Sequence, residues 1–393
     1  MMKTTKLYDD MPYEREFTGR VIDVQKGDGC AMVRLDRTLF FPEEGGQTSD
    51  IGVLNGFEVS HVLIKDGVIT HEVRCDETEL KIGDEVKGCI DWHHRFSNMQ
   101  NHTGEHILSG IIHSRWGSEN VGFHLSDNIV TLDTSKELDS CELKELEEEA
   151  NKSVYNNLPV SCRYYDEDEL KGMTYRSKID LHESVRIVTI PGVDACACCA
   201  PHVANTGEIG IIKIVKAIRY KGGMRLTILA GERAYNYLRA LQDTTDELSH
   251  MLSESTDKLT DAVQRILAEN NELKIKIKND SAVRLEADMA LLDADSVDAV
   301  LFIGSIDRVV QRNAVNRLTG SHAGICAIFA GDEESGYDFI VAYPDGDARE
   351  VSKLMNEKLQ ARGGGSYDMV QGNVKASESD IRKALETMRG DAK

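Results

Sequence analysis

The strongest constraint in this sequence is a pair of short motifs, far apart in the chain, each offering two metal-ligand side chains four residues apart. His102-Thr103-Gly104-Glu105-His106 lies in the segment 92–115, where Phe96, Met99, Leu108, Ile111 and Ile112 recur at helical spacing. Residues at i and i+4 share a helix face, so His102 and His106 point the same way. Cys198-Cys199-Ala200-Pro201-His202 repeats the step with a thiol and an imidazole. Imidazole nitrogen and thiolate sulfur are favoured zinc ligands. His102, His106, Cys198 and His202 therefore predict one zinc ion per chain, and the fold must bring the two motifs together. Cys196 and Cys199 are competing thiolates that spacing alone does not exclude; Cys198 is preferred because it keeps the four-residue step. Four protein ligands close a structural zinc site, whereas a catalytic one keeps a position open. Catalysis here requires either one loose ligand or a shell that expands around substrate.

Glu105 stands one residue before a ligand, and a glutamate beside an activated water is a candidate general base. One residue along a helix turns by about 100°, so Glu105 does not share the face of His106. The motif also fits the H-x-x-E-H pattern of inverted zinc metalloproteases. Those enzymes take a third ligand from a downstream carboxylate; a Cys–His pair in a short loop points to another class.

The rest of the chain gives these motifs a context. Residues 14–90 read as short alternating strands divided by turn signals such as Lys65-Asp66-Gly67, which a small barrel or sandwich closes. Within them FFPEEGGQTSDIG (40–52) is a tight loop where Gly45 and Gly46 let backbone approach a ligand and Gln47 adds a polar contact. A Glu-rich helix is expected at 139–156, and alternation returns at 185–230. From Leu238 through Leu241, Thr245, Leu248, Leu252, Ser255, Leu259, Ala262, Ile266 and Glu269 to Leu273, residues step by three and four. This heptad seam predicts one helix roughly 50 Å long that packs on a neighbour or on a second copy. The final segment reads as α/β, with strands AVLFIG, GICAIFAG and FIVAYP, a helix near 347–361 ending at Gly363-Gly364-Gly365, and another near 377–388.

No run is long and apolar enough for a membrane span, and the N-terminus lacks the apolar core of a signal peptide. The nine cysteines show no paired framework, so Cys30, Cys75, Cys89, Cys141, Cys162 and Cys326 are expected to be buried free thiols in a reducing cytoplasm. A net charge of −21 opposes nucleic-acid binding overall. The exception is 211–225, where Lys213, Lys216, Arg219, Lys221 and Arg225 occur without an acid and form a candidate phosphate strip.

Taken together, these residues resemble a known family. His102-x-x-x-His106 followed by Cys198-x-x-x-His202 is similar to the zinc signature of the alanyl-tRNA synthetase editing domain and its free-standing relatives, the AlaX proteins. FFPEEGGQTSDIG resembles the Gly-Gly-Gln loop preceding that domain, and residues 202–231 resemble the stretch after the second zinc pair. ARGGGSYDMVQGNV resembles the glycine-rich segment of the DHH-associated domain of synthetases and long AlaX proteins. The resemblance implies an α+β architecture: a small N-terminal β-barrel (1–90), an α+β zinc editing domain (91–232), a long coiled-coil-like helix (233–290) and a C-terminal DHH-associated α/β domain (291–393). It implies zinc-dependent hydrolysis of the aminoacyl ester of tRNA(Ala) mischarged with serine or glycine. Gln47 and Thr103 would be polar substrate contacts. The C-terminal module, including Arg362 beside Gly363, Gly364 and Gly365, would grip tRNA and support a homodimer. The editing-type strands begin near residue 14, so an aminoacylation module is not expected. Two departures, Glu105 before the second histidine and Cys199-Ala200-Pro201 in place of Gly-Gly-Thr, bear on amino-acid preference. The competing readings are a tRNA-binding or regulatory protein with a structural zinc, and a zinc hydrolase of another ester or a peptide.

Overall fold

A computed structural model describes residues 3–177, 184–293 and 295–390. The chain divides into two compact units, 1–245 and 246–393. It mixes helix and strand in both, as an α+β chain does. Among the described residues no helix is long and apolar enough to cross a membrane.

In the first unit, strands Glu16–Lys26, Ala31–Leu35, Val68–Val73, Phe57–Lys65, Gly52–Leu54 and Glu85–Ile90 pair in that order, and the last pairs back to the first, closing a barrel. Alternation explains the closure: in Ala31–Leu35, Ala31, Val33 and Leu35 are buried while Met32 and Arg34 are not. Asn55-Gly56 and Asp66-Gly67, all with positive φ, turn the hairpins. Phe17, Leu39, Phe40, Phe41, Leu54 and Ile69 fill the interior.

Helix Trp92–Trp116 follows, capped by the Asp91 side chain, which accepts from the His94 amide, and ended by Gly117 in the left-handed region. Unlike a surface helix, it is buried almost continuously from Arg95 to Ile112, polar residues included. One flank meets a four-stranded sheet ordered Ile212–Tyr220, Gly223–Ala230, Val130–Thr134, Asn120–Leu125; another meets a three-stranded sheet of Ser161–Tyr165, Val185–Ile190 and Asp194–Ala197. The buried polar groups are paired. Asn101 exchanges hydrogen bonds with both backbone groups of Ala230, and Gln100 donates to the Glu208 carbonyl. Gly110 is required by proximity, since a Cβ there would stand 2.3 Å from the Val193 carbonyl oxygen. Its absence lets the strand Asp194–Ala197 come up against the helix.

Arg95 fixes the barrel to this helix. Its guanidinium pairs with Asp50, with Nε 3.0 Å from both carboxylate oxygens, and donates to the carbonyls of Pro12 and Leu39; Asp50 also accepts from the Phe41 amide at 2.6 Å. Neither side chain reaches solvent.

The structure corrects the continuous heptad helix. It divides into Gly231–Leu252 and Leu259–Ala290, joined by Ser253 in the left-handed region (φ 53°) and the single turn Thr256–Lys258. In Leu-Ser-Glu-Ser-Thr the hydroxyls compete for backbone groups: Ser249 Oγ donates to the Glu254 carbonyl and draws the chain out of the helix. The expected burial of the scattered thiols is corrected as well: Cys30 and Cys326 are buried, Cys75, Cys89 and Cys162 half-buried, and Cys141 stands exposed on helix Ser140–Tyr155; all nine cysteines are free.

The second unit holds a five-stranded sheet ordered Ala299–Ile303, Cys326–Asp332, Gly336–Ala342, Met369–Val374, Arg362–Gly365. The first pair is parallel and the others antiparallel. Helices Arg308–Leu318, Ala348–Leu359 and Glu378–Gly390 accompany it. Gly363, Gly364 and Gly365 neither end a helix nor form a linker: the helix stops at Gln360, and the glycines form an edge strand. A Cβ at Gly365 would stand 2.2 Å from the Met369 carbonyl oxygen across the pair.

Removing one partner of a buried ion pair strands the other, at a cost of about 3–5 kcal/mol. Arg95→Met is therefore expected to lower the unfolding free energy of the full chain by that amount in a denaturant titration. A loss below about 1 kcal/mol would show that the pair does not bind barrel to helix.

Candidate metal centre

The fold brings the two motifs together. One ligand atom each from His102, His106, Cys198 and His202 lies within 4.8 Å of all the others. Cys198 Sγ is 3.5 Å from His102 Nε2 and 3.4 Å from His202 Nε2. A tetrahedral zinc with usual bond lengths sets nitrogen and sulfur about 3.5 Å apart, so the donor set fits that ion in type and spacing. The three imidazole rings enclose the same point, with centroids 4.8–5.4 Å apart.

What surrounds the ligands decides which nitrogen each offers. His102 Nδ1 meets Gln47 Oε1 at 2.7 Å, His106 Nδ1 meets Asp194 Oδ2 at 2.9 Å, and His202 Nδ1 meets Thr103 Oγ1 at 3.0 Å. The Thr103 hydroxyl gives its proton to the Met99 carbonyl at 2.7 Å, so towards His202 it accepts. All three Nδ1 atoms thus carry hydrogen, and all three Nε2 lone pairs face the centre. Such outer partners fix tautomer and orientation and raise ligand basicity. Asp194 is held in turn by Arg176 through two 2.8 Å bonds. Arg186 donates to the carbonyls of Cys198 and Ala200 at 3.0 and 2.8 Å and shapes the Cys–His turn.

Of the competing thiols, Cys196 groups with His106 and Asp194, outside the four-ligand set. Cys199 turns to Glu44; burial first, and then that carboxylate, push its thiol up to about 12. In the metal-free protein burial pushes the Cys198 thiol well above its ordinary value and, with the neighbouring imidazoles, holds His202 well below its own.

Thr103 is corrected as a substrate contact: it is fully buried, and its hydroxyl is committed to Met99, His202 and the Val203 amide. Gln47 keeps a buried amide nitrogen without a protein partner. Gly46 serves the protein rather than a ligand. A Cβ there would stand 2.4 Å from the Phe123 carbonyl oxygen, and its own carbonyl accepts from the Leu125 amide at 2.7 Å. Gly45, exposed beside Cys199, completes the same turn. Glu105 is buried, and its Oε1 accepts from Ser109 Oγ and, at 2.6 Å, from Asn120 Nδ2. Phe123, on the strand with Asn120, covers His102 at 4.7 Å between ring centroids.

The basic strip is largely neutralised, which corrects the expectation from its own segment. Lys213 pairs with Glu147, Arg219 with Glu137, and Arg225 with Asp133 through two bonds while stacking on Tyr220. Among these five, Lys216 and Lys221 alone have no carboxylate of the described residues within ion-pair distance. Arg362 is exposed, and Gly363, Gly364 and Gly365 line a cavity of about 420 Å³ with Arg349 and Lys353. Asp194, Arg176 and Asn120 escape the sequence reading. An acid two residues before Cys196 on an alternating strand was the available signal for the first.

A thiolate ligand and neutral imidazoles make metal uptake proton-linked. The Cys198 thiol is protonated at neutral pH and His202 is not, so zinc binding to the apo chain should release about one proton, read by calorimetry in buffers of differing ionisation enthalpy. Uptake without proton release would take Cys198 out of the ligand set.

Comparison with known proteins agrees with this site. Residues 4–94 match the family model of class II (A) tRNA synthetases, and residues 185–226 match that of the threonyl and alanyl tRNA synthetase second additional domain. The alanyl-tRNA editing protein AlaX-L of Pyrococcus horikoshii is 28% identical over 98% of both chains. Alanine–tRNA ligases of Methanococcus maripaludis and Archaeoglobus fulgidus are 32% and 31% identical over 70% and 94% of this chain, matching 31% and 42% of their own lengths. The chain therefore spans less than half of these ligases. The C-Ala domain of Aquifex aeolicus alanyl-tRNA synthetase aligns over 24% of the chain and 90% of its own at 18% identity, with a TM-score of 0.22. The match to the alanyl-tRNA editing protein AlaX-L runs from end to end, and the two family models fall on the barrel and on the Cys–His segment: the chain is similar throughout to an alanyl-tRNA editing protein.

Proposed function

We propose that this protein is a zinc-dependent deacylase that hydrolyses the aminoacyl ester of tRNA(Ala) mischarged with serine or glycine. The observation that carries the reading is the convergence of three Nε2-presenting histidines and Cys198 in a chain similar throughout to an alanyl-tRNA editing protein. A zinc ion held by these residues would supply Lewis-acid polarisation of the ester carbonyl, provided that one ligand loosens or the shell expands to admit it.

The chain's own groups supply the rest. Gln47 holds His102 through its oxygen and keeps two amide hydrogens to donate to the substrate. For serine, a site built to bond the substrate hydroxyl discriminates strongly against alanine, which would leave that polar group unpaired; glycine carries no hydroxyl and gains nothing from this contact. Of the two buried carboxylates beside the histidines, Asp194 is committed to His106 and Arg176, whereas Glu105 is hydrogen-bonded only by the neutral donors Ser109 and Asn120. Glu105 is the carboxylate suited to take the proton of the attacking water.

The test is release of serine, glycine or alanine from the corresponding aminoacyl-tRNA(Ala). Serine should leave fastest and alanine should be largely spared. Glu105→Gln keeps an oxygen for Ser109 and Asn120, and its kcat should fall about 100-fold. Binding of Ser-tRNA(Ala) without ester cleavage would make the protein an RNA-binding one with a structural zinc. An unchanged kcat in Glu105→Gln would take the base role from Glu105 alone.

Phosphate contacts on the strand Ile212–Tyr220 and its turn fall to Lys216 and Lys221. Changing both to Ala should weaken tRNA binding and flatten its salt dependence by about two phosphates' worth of slope. An unaltered slope would place the contacts elsewhere.

A further inference from the structure

We propose, resting on the deacylase reading above, that the backbone N–H of Phe123 joins the Gln47 side-chain amide in donating to the ester carbonyl oxygen as negative charge develops on it. Four protein ligands fill a tetrahedral zinc shell. While that shell stays closed, the carbonyl oxygen has to find its partners on the chain. Donors fixed in advance and aimed at a developing oxyanion are a large source of catalysis, and backbone N–H groups commonly serve.

Asn120–Leu125 is the edge strand of its sheet. In an antiparallel pair, successive residues turn their backbone groups alternately towards the partner strand and away from it. The turn fixes the phase, because the Ser126 amide donates to the Ile129 carbonyl at 3.0 Å. With Leu125 opposite Val130 and Phe123 opposite Leu132, the backbone groups of Leu125 and Phe123 both face outwards. Leu125 is paired there: its amide donates to the Gly46 carbonyl at 2.7 Å, and its carbonyl accepts from the Thr48 amide at 3.0 Å. Two residues further back, the same parallel register would set the Phe123 amide against the Glu44 carbonyl. The loop turns away first. Gly45 and Gly46 take φ of 65° and 86°, and the Glu44 carbonyl accepts from the Gln47 amide at 3.1 Å instead. Among the described residues the Phe123 N–H has no acceptor.

This hydrogen belongs to the surroundings of the metal centre. The Phe123 ring covers His102 at 4.7 Å between centroids, and Asn120 of the same strand holds Glu105 at 2.6 Å. Gln47 is 1% exposed; its oxygen meets His102 Nδ1, and its nitrogen has no protein partner. A half-buried backbone donor and a buried side-chain donor therefore flank one histidine. An unpaired donor removed from water is costly, and two beside a single ligand point to an acceptor from outside the chain.

The step balances with the groups present. Water adds to the ester carbon and passes a proton to Glu105, while the carbonyl π pair moves onto oxygen. Phe123 and Gln47 donate to that oxygen while it is charged. The pair then returns to re-form the carbonyl, the bond to the ribose oxygen breaks, and that oxygen takes the proton from Glu105. Ester and water become free amino acid and a tRNA with its terminal hydroxyl restored.

Steady-state release of serine from Ser-tRNA(Ala) by the full chain tests the role. A wild type that releases no serine removes the deacylase reading and this donor with it. With an active wild type, Phe123→Pro deletes the hydrogen, and an edge strand tolerates proline where the N–H faces outwards. Phe123→Leu keeps the hydrogen and is the reference. The kcat of Phe123→Pro should fall about 100-fold below that of Phe123→Leu. KM and bound zinc per chain should be alike in the two, because the contact is made only in the transition state. Phenyllactic acid installed at position 123 keeps the ring and replaces the N–H by oxygen. It should show the same loss against the wild type, and it decides the matter if Phe123→Pro does not fold. Equal kcat in the proline and leucine variants, a phenyllactate protein as fast as the wild type, or a rise in KM alone would overturn the role of Phe123 and leave the deacylase reading standing.

Discussion

An imidazole that ligates through Nε2 must place its Nδ1 hydrogen somewhere, and in a dry interior that means a fixed acceptor. Three such acceptors organise this structure. Thr103 comes from the same helix turn as two of the ligands, Asp194 from a strand pressed against that helix, and Gln47 from a loop of the barrel. The centre is therefore the meeting point of the elements of the first unit rather than the property of one motif.

The same demand explains why a helix carrying so many polar residues is buried almost continuously from Arg95 to Ile112. Each buried polar group has a counterpart on a neighbouring sheet or loop, and Arg95 with Asp50 supplies a charged version of that arrangement. Arg176 does so one layer further out, holding the carboxylate that holds His106. Buried networks of this kind are stable only when complete. The Gln47 amide nitrogen is left without a protein partner among the described residues.

The cluster of His102, His106, Cys198 and His202 was legible because the four-residue step is a local consequence of helix geometry, and the barrel strands because alternation of buried and exposed residues is local too. The errors at the cationic strip, at Thr103 and at the triple glycine were non-local. Lys213, Arg219 and Arg225 read as a bare cationic strip because the acids that meet them, Glu147, Glu137 and Asp133, come from other segments. Thr103 read as a substrate contact because nothing nearby shows that His202 would claim its hydroxyl. The heptad count ran through Ser253 because apolar spacing does not register a hydroxyl that bonds to backbone. The triple glycine read as a helix ending, although glycine also suits a strand whose neighbour's backbone comes too close for a Cβ.

The contact of Gly46 with the Phe123 backbone bears on where the chain can be divided. A domain border drawn after residue 90 looks natural on the strand pattern, yet it would cut the acceptor of His102 away from His102 itself. The barrel is thus no detachable adaptor. Expressed without residues 1–90, the helix would present the His102 Nδ1 hydrogen to an interior that no longer holds the Gln47 oxygen.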